Sequence, residues 1–258
     1  RRRRRKLLAR PFPEAWRDVL ERNMKAVSLL DADERARLEE MIRVFAAEKS
    51  WEGCGGFELT DEAKVTVAGQ ACLLLLGLPD HYDHYWWVHT ILIYPAAYVA
   101  RRERFGEYPE PGEHGIHSGE AWHRGPVILS WDDVVQGGRR RDDGRNVVYH
   151  EFAHQLDMVD GLVDGTPPLN RDDLYDDWRQ VMTREFESLI AASERGEATL
   201  LDTYGATAPA EFFAVATECF FERPRAMKRR HEKLYDLLSA YYRQDTAGRC
   251  GGGRHDGN

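Results

Sequence analysis

The chain has 258 residues, of which 42% are hydrophobic and 31% charged, with a formal net charge of -8. That is enough apolar material to build one substantial domain and too much for a disordered polymer. The acidic balance also argues against nucleic acid as the main partner, because phosphate binding needs a basic surface.

Residues 1–6, RRRRRK, run against that balance. Such a run can touch an anionic surface, but a basic, disordered tail over residues 1–10 is the expectation. No signal-peptide core follows the arginines, and the longest apolar run, residues 71–76, is too short to span a bilayer. A cytoplasmic protein without a membrane partner is therefore expected. Cys54, Cys72, Cys219 and Cys250 form no CxxC pair and no regular spacing, so reduced thiols are expected rather than a disulfide framework. Cys72 and Cys219 lie in apolar stretches and read as core filler.

In chain order, Asp31 with Glu34 has the form of a capping box, and Leu38, Met41, Ile42 and Phe45 recur at helical spacing up to about Lys49. Residues 51–56 read as glycine-rich loop. Thr60 is placed to cap a buried helix through Val65, Ala68, Cys72 and Leu76, which Pro79 terminates. Residues 88–94 (VHTILIY) and 127–131 (VILSW) have the β-branched and aromatic content of strands. Residues 101–125 lack any sustained period and read as a long loop, either a binding segment or a surface excursion. After Gly144 the pattern is helical over 146–157, 174–190, 209–221 and about 226–242. Strands before helices imply an α+β fold. A single domain is expected over residues 11–245, with a disordered Gly-rich tail over 246–258.

The segment 147–157 reads VVYHEFAHQLD and contains H-E-x-x-H. On a helix, residues i and i+4 stack one turn apart, roughly 6 Å along the axis, so His150 and His154 can reach one ion. Glu151 then lies where its carboxylate can take a proton from metal-bound water, whose pKa zinc lowers to about 7. Ten histidines and many glutamates can produce this pattern by chance. The surrounding apolar residues weigh against chance, because buried imidazoles and carboxylates need a compensating charge, and a cation supplies it.

A catalytic zinc needs a third protein ligand and an open position. Glu211 and Glu218 are the charges on the core-like segment AEFFAVATECFF at 210–221, and at i and i+7 they share a face. One can ligate and the other brace a ligand. Pro209 at the first helical position leaves a plainer role open for Glu211, as a carboxylate that complements the helix dipole. Asp157, one turn after His154, is either hydrogen-bonded to a ligating imidazole or exposed to solvent. His81, His84 and His89 sit among aromatics without a helical frame and are not expected to form a ligand set.

With HEFAHQLDM at 150–158, PAEFFAVATECFF at 209–221, GFEL at 56–59, ILIYPAAYV at 91–99 and SGEAWHRGPVILSWDD at 118–133, the chain resembles the Mlc titration factor A family of bacterial zinc peptidases. A more distant likeness is to the catalytic domain of anthrax lethal factor, which shares the HEF-G/A-H helix and a Tyr seven residues before a ligand Glu, an interval kept here by Tyr204 and Glu211. The resemblance implies a gluzincin: His150, His154 and Glu211 binding Zn2+, Glu151 as general base, and Tyr204 stabilising the oxyanion. It further implies a zincin-like fold with a small mixed sheet, in which an edge strand at 125–129 pairs with peptide substrate. Aminopeptidase-type activity and binding of the glucose-system repressor Mlc are the family's associations. The arginine run and the charged stretch 101–117 depart from it. Three functions follow as expectations: peptide hydrolysis, sequestration of a transcriptional repressor with catalysis secondary, and iron in place of zinc on the same two-His, one-carboxylate set. Iron is disfavoured because a Glu directly after the first ligand serves hydrolysis.

Overall fold

A computed structural model describes residues 2–79, 84–96, 125–140, 142–169 and 171–250. Its helices are α1 Arg2–Leu8, α2 Glu14–Asn23, α3 Ala32–Glu48, α4 Asp61–Leu74, α5 Trp131–Arg139, α6 Val147–Asp157, α7 Leu174–Glu194, α8 Pro209–Glu222, α9 Pro224–Arg230, α10 Glu232–Tyr242 and α11 Thr246–Arg249. The strands are β1 Ser50–Gly53, β2 Thr90–Tyr94 and β3 Val127–Ser130.

Local chemistry sets where several helices begin. Asp31 and Glu34 form the reciprocal capping box at the start of α3, and the Thr60 side chain accepts from the Ala63 N–H at the start of α4. Every residue of α4 from Val65 to Leu74 is buried. A helix apolar on all sides belongs at the centre of a layered fold, and α4 packs between α2, α3, α5 and α6. The second all-buried helix is α8, from Phe212 to Glu222. Its aromatic residues meet α7 through Trp178 and Phe213, at 5.7 Å between ring centroids, and α10 through the stacked pair Phe220 and Tyr242 at 5.6 Å. Cys72 and Cys219 are buried, as their apolar surroundings imply.

The structure corrects several expectations. The sheet has the order β1-β2-β3, and both pairings are parallel rather than mixed. Between β1 and β2 the chain passes through α4, the kind of crossover that parallel pairing requires. β1 falls inside what reads as glycine-rich loop; Ser50 to Gly53 make a strand because they pair with Thr90 to Ile93. The expected helix over 226–242 is two helices, α9 and α10. His231 leaves helical geometry between them (φ -135°, ψ 55°) and its Nδ1 meets Glu185 of α7 at 2.8 Å.

The basic run is mostly exposed but has regular structure. It forms α1, Arg4 makes a bidentate pair with Glu48 at 2.8 Å and 2.8 Å, and Arg3 donates to the Ala47 carbonyl at 3.2 Å. Guanidinium groups suit this place, because the carboxyl end of α3 exposes unpaired carbonyls and a partial negative charge. At the other end, residues 246–249 form α11 instead of tail: Thr246 is buried and donates to the Phe220 carbonyl at 2.8 Å, while Arg249 pairs with Glu34. Residues 251–258 and the stretch 101–117 lie outside the described residues.

Gly77 marks where the chain leaving α4 meets the end of α10. A Cβ there would stand 2.4 Å from each of the carbonyl oxygens of Tyr242 and Arg243. Gly77→Ala is expected to destabilise the fold by about 1–3 kcal/mol through this overpacking, read as a lower midpoint in urea with the m-value unchanged.

Candidate metal centre

Helix α6 carries both histidines, and its position is fixed by Asn146. The Asn146 side-chain oxygen accepts from the Tyr149 N–H at 3.0 Å and so caps the helix, while its Nδ2 donates to Gln70 of α4 at 2.7 Å. Its backbone N–H donates to Glu218 of α8 at 2.5 Å. One buried residue therefore ties the amino end of α6 to both all-buried helices. Gln70, the amide within the apolar α4, also donates to the Val134 carbonyl at 3.0 Å, so its burial is fully compensated.

Three side-chain atoms converge beyond this anchor. Nε2 of His150 lies 3.0 Å from Oε2 of Glu211, Nε2 of His154 lies 3.4 Å from that oxygen, and the two Nε2 atoms are 3.2 Å apart. Ligands about 2.0–2.1 Å from one tetrahedral zinc stand roughly 3.3 Å from each other, so the three separations have the dimensions of one face of such a site. His150, His154 and Glu211 are the His/Cys/Asp/Glu group able to hold a metal ion among the described residues. Of the other histidine cluster, His84 meets the Pro79 carbonyl at 2.8 Å, and His81 lies outside the described residues.

The electrostatics demand a positive charge at this point. Burial pulls the His150 pKa down, but its bonds to Glu211 and Glu218 outweigh burial and lift it to about 10. Burial raises the Glu211 pKa, and His150 and His154 more than reverse this, bringing it to about 2. Glu218, nearly fully buried, is shifted upward by desolvation. Its Oε1 lies 2.8 Å from Nδ1 of His150. A proton on Nδ1 donated to this carboxylate leaves the Nε2 lone pair directed at the centre, as a ligating imidazole requires. Of the two glutamates, Glu211 faces both Nε2 atoms and Glu218 meets Nδ1 of His150.

Glu151 follows His150 on α6, half-buried, and makes no hydrogen bond among the described residues. Its carboxylate is not consumed by the fold. Tyr204 stands on a 3₁₀ turn, Thr203–Ala206, with its ring centroid 6.0 Å from that of His150 and 54% of its surface exposed. Asp202 holds the turn: its side chain accepts from the Tyr204 N–H at 3.0 Å and pairs with Arg145 at 2.5 Å. Sequence reading missed Asn146, Gln70 and the Arg145–Asp202 pair. An amide within an otherwise apolar helix was the available signal for Gln70. A cavity of about 460 Å³ opens beside His150 and Tyr204, with Asp133, Gln136, Arg145 and Asp202 in its wall.

Asp157 does not face solvent. It is fully buried, its Oδ2 accepts from the Gly165 N–H at 2.9 Å, and it makes no hydrogen bond to His154. Burial pushes its pKa up to about 6.

Two imidazoles and a carboxylate at these separations, on a helix that also offers an unengaged Glu, make a centre of the metallopeptidase class. The comparisons agree. The family described as glucose-regulated metallo-peptidase M90 matches residues 1–243. Uncharacterized protein slr2042 of Synechocystis sp. is 39% identical over 242 residues, 93% of this chain and 87% of the relative. Mlc titration factor A of Salmonella agona is 32% identical over 243 residues, covering 91% and 87%, and that of Serratia proteamaculans is 31% identical over 239 residues, covering 91% and 88%. The chain belongs to the M90 family of metallopeptidases.

Without an ion, His150 holds a proton far above neutral pH. A divalent ion must displace it, so apparent affinity should rise with pH by about tenfold per unit below pH 10, with one proton released for each ion bound. Zinc titration by calorimetry in buffers of different ionisation enthalpy measures this; affinity independent of pH between about 7 and 10 would show that His150 does not hold its proton in that range.

Proposed function

We propose that this protein is a zinc-dependent peptidase of the gluzincin type, with a zincin-like fold and aminopeptidase-like specificity, acting in the cytoplasm. The observation that carries the reading is the convergence of His150, His154 and Glu211 at 3.0, 3.2 and 3.4 Å, one residue from Glu151. When bound there, zinc acts as a Lewis acid and makes a water-derived nucleophile available near neutral pH. Two nitrogen donors and one carboxylate suit zinc, and a Glu adjacent to the first ligand has a use in hydrolysis that iron–oxygen chemistry lacks.

In this reading the protein's own groups divide the remaining work. Glu151 accepts a proton from the attacking water and returns it to the leaving amine. Tyr204 donates its hydroxyl hydrogen to the oxyanion that forms on the scissile carbonyl, where charge develops only in the transition state. β3 ends the described sheet, and an extended peptide can pair along it by strand addition. The cavity beside His150 supports the aminopeptidase-like part. Asp133 lines it, and its carboxylate makes no hydrogen bond among the described residues, which gives the cavity the sign that a substrate ammonium group needs.

Glu151→Gln should retain zinc and lower kcat by about 10²–10⁴-fold, and Tyr204→Phe should lower kcat by about 10²–10³-fold with little change in KM. Cleavage of alanine and short-peptide reporters, with and without chelator, measures both. Unchanged turnover in metal-loaded Glu151→Gln protein would sink the mechanism.

A second reading is favoured by the name of the relatives, Mlc titration factor A: this chain also sequesters a transcriptional repressor, independently of hydrolysis. Glu151→Gln protein should then bind the repressor as tightly as the parent in a calorimetric titration. Loss of binding in folded, inactive protein would show that the two activities are not independent.

A further inference from the structure

Asp157 ends α6, where the helix dipole makes a carboxylate unwelcome, and it is fully buried. A group so costly to bury needs a compensating role, and its contacts indicate one. Its Oδ2 accepts from the Gly165 N–H at 2.9 Å, and the Gly165 carbonyl accepts from Nε1 of the buried Trp178 at 3.1 Å. Gly165 has φ +79°, and a Cβ there would stand 2.4 Å from the carbonyl oxygen of Pro209. Pro209 is the first residue of α8, two positions before Glu211. The contacts therefore run from the end of the histidine helix, through one glycine, to the start of the helix that carries the third member of the group.

A second observation concerns the other oxygen. Nδ1 of His154 and Oδ1 of Asp157 are both buried and have no hydrogen-bond partner. They belong to residues three apart on one helix, which are neighbours on its surface. An imidazole that ligates through Nε2 carries its hydrogen on Nδ1 and needs an acceptor there. Glu218 plays that part for His150; on the His154 side, Oδ1 of Asp157 is a buried acceptor without a partner.

We propose that Asp157 is a positioning residue for the metal centre. Through Oδ2 and Gly165 it sets the distance between α6 and Glu211, and through Oδ1 it takes the Nδ1 hydrogen of His154 when Nε2 ligates. This rests on the reading of His150, His154 and Glu211 as metal ligands, but not on any peptide being cleaved.

The test is zinc affinity, measured on the full chain by competition with a chromophoric chelator, and the visible spectrum of the cobalt-loaded protein. Asp157→Asn, which preserves shape, and Gly165→Ala, which forces Pro209 away, should each weaken zinc binding about ten- to a hundredfold and alter the cobalt bands. Gly77→Ala, destabilised away from the centre, serves as the control and should leave both unchanged; circular dichroism confirms that each variant is folded. If folded Asp157→Asn and Gly165→Ala bind zinc within about threefold of the parent, the proposal is overturned. It is overturned also if Gly77→Ala weakens zinc as much as they do, since general destabilisation would then account for the loss. Absence of zinc binding by the parent would instead remove the metal reading itself.

Discussion

Two imidazole nitrogens 3.2 Å apart, each also within 3.4 Å of one carboxylate oxygen, set the terms for the rest of the structure. Two lone pairs repel at that distance and two N–H groups would collide, so a hydrogen or a cation must lie between them. A proton resolves the conflict in part, and against burial the bonds of His150 to Glu211 and Glu218 favour its keeping one. A divalent ion resolves it completely, because it satisfies both nitrogens and the oxygen together. The buried helices α4 and α8 pack against α6 and leave the side chains of His150, His154 and Glu211 only 16, 12 and 22% exposed, so that solvent screens the cluster little.

That arrangement has to be held against its own repulsions, and the holding is done by polar groups within the core. Gln70 bonds Asn146, Asn146 bonds Glu218, and Glu218 bonds His150, at 2.7, 2.5 and 2.8 Å. Each link joins a different pair of elements: α4 to the cap of α6, that cap to α8, and α8 back to α6. Buried polar networks are costly when incomplete and specifying when satisfied. Here the network holds the Nδ1 side of one imidazole and so directs its Nε2 inward, from the same helix that carries Glu211.

Much of this was legible in the sequence, and the limits have physical causes. The spacing in HEFAH implies that His150 and His154 stand side by side once the segment is helical, and they do; the caps at Asp31 and Thr60 read correctly because capping is a local interaction. β1 was hidden: four residues, SWEG, become a strand only by pairing with β2, forty positions away. The break at His231 depends on Glu185, and the helix at residues 2–8 on Glu48; neither partner is visible in a local window. The burial of Asp157 and its bond to Gly165 were hidden for the same reason, because that glycine amide is reached only after the chain has turned back. Properties carried by neighbours in sequence could be read, and those carried by neighbours in space could not.

Glu211 shows that two readings of one residue need not compete. Pro209 at the first position of α8 places Glu211 in its first turn, where a carboxylate complements the positive end of the helix dipole. Taken alone, that accounts for the residue with no ion involved. The same field, however, favours the ionised carboxylate, and the two histidines more than reverse the upward push of burial, bringing the pKa to about 2. A metal ligand must stay ionised while partly removed from water. A helix amino terminus aimed at the histidine pair meets that need with backbone dipoles, without a basic side chain that would itself compete for the carboxylate. The dipole role is thus what makes the ligand role affordable in a half-buried site, and the residue that looks like an ordinary first-turn glutamate is well placed to be the third donor for that very reason.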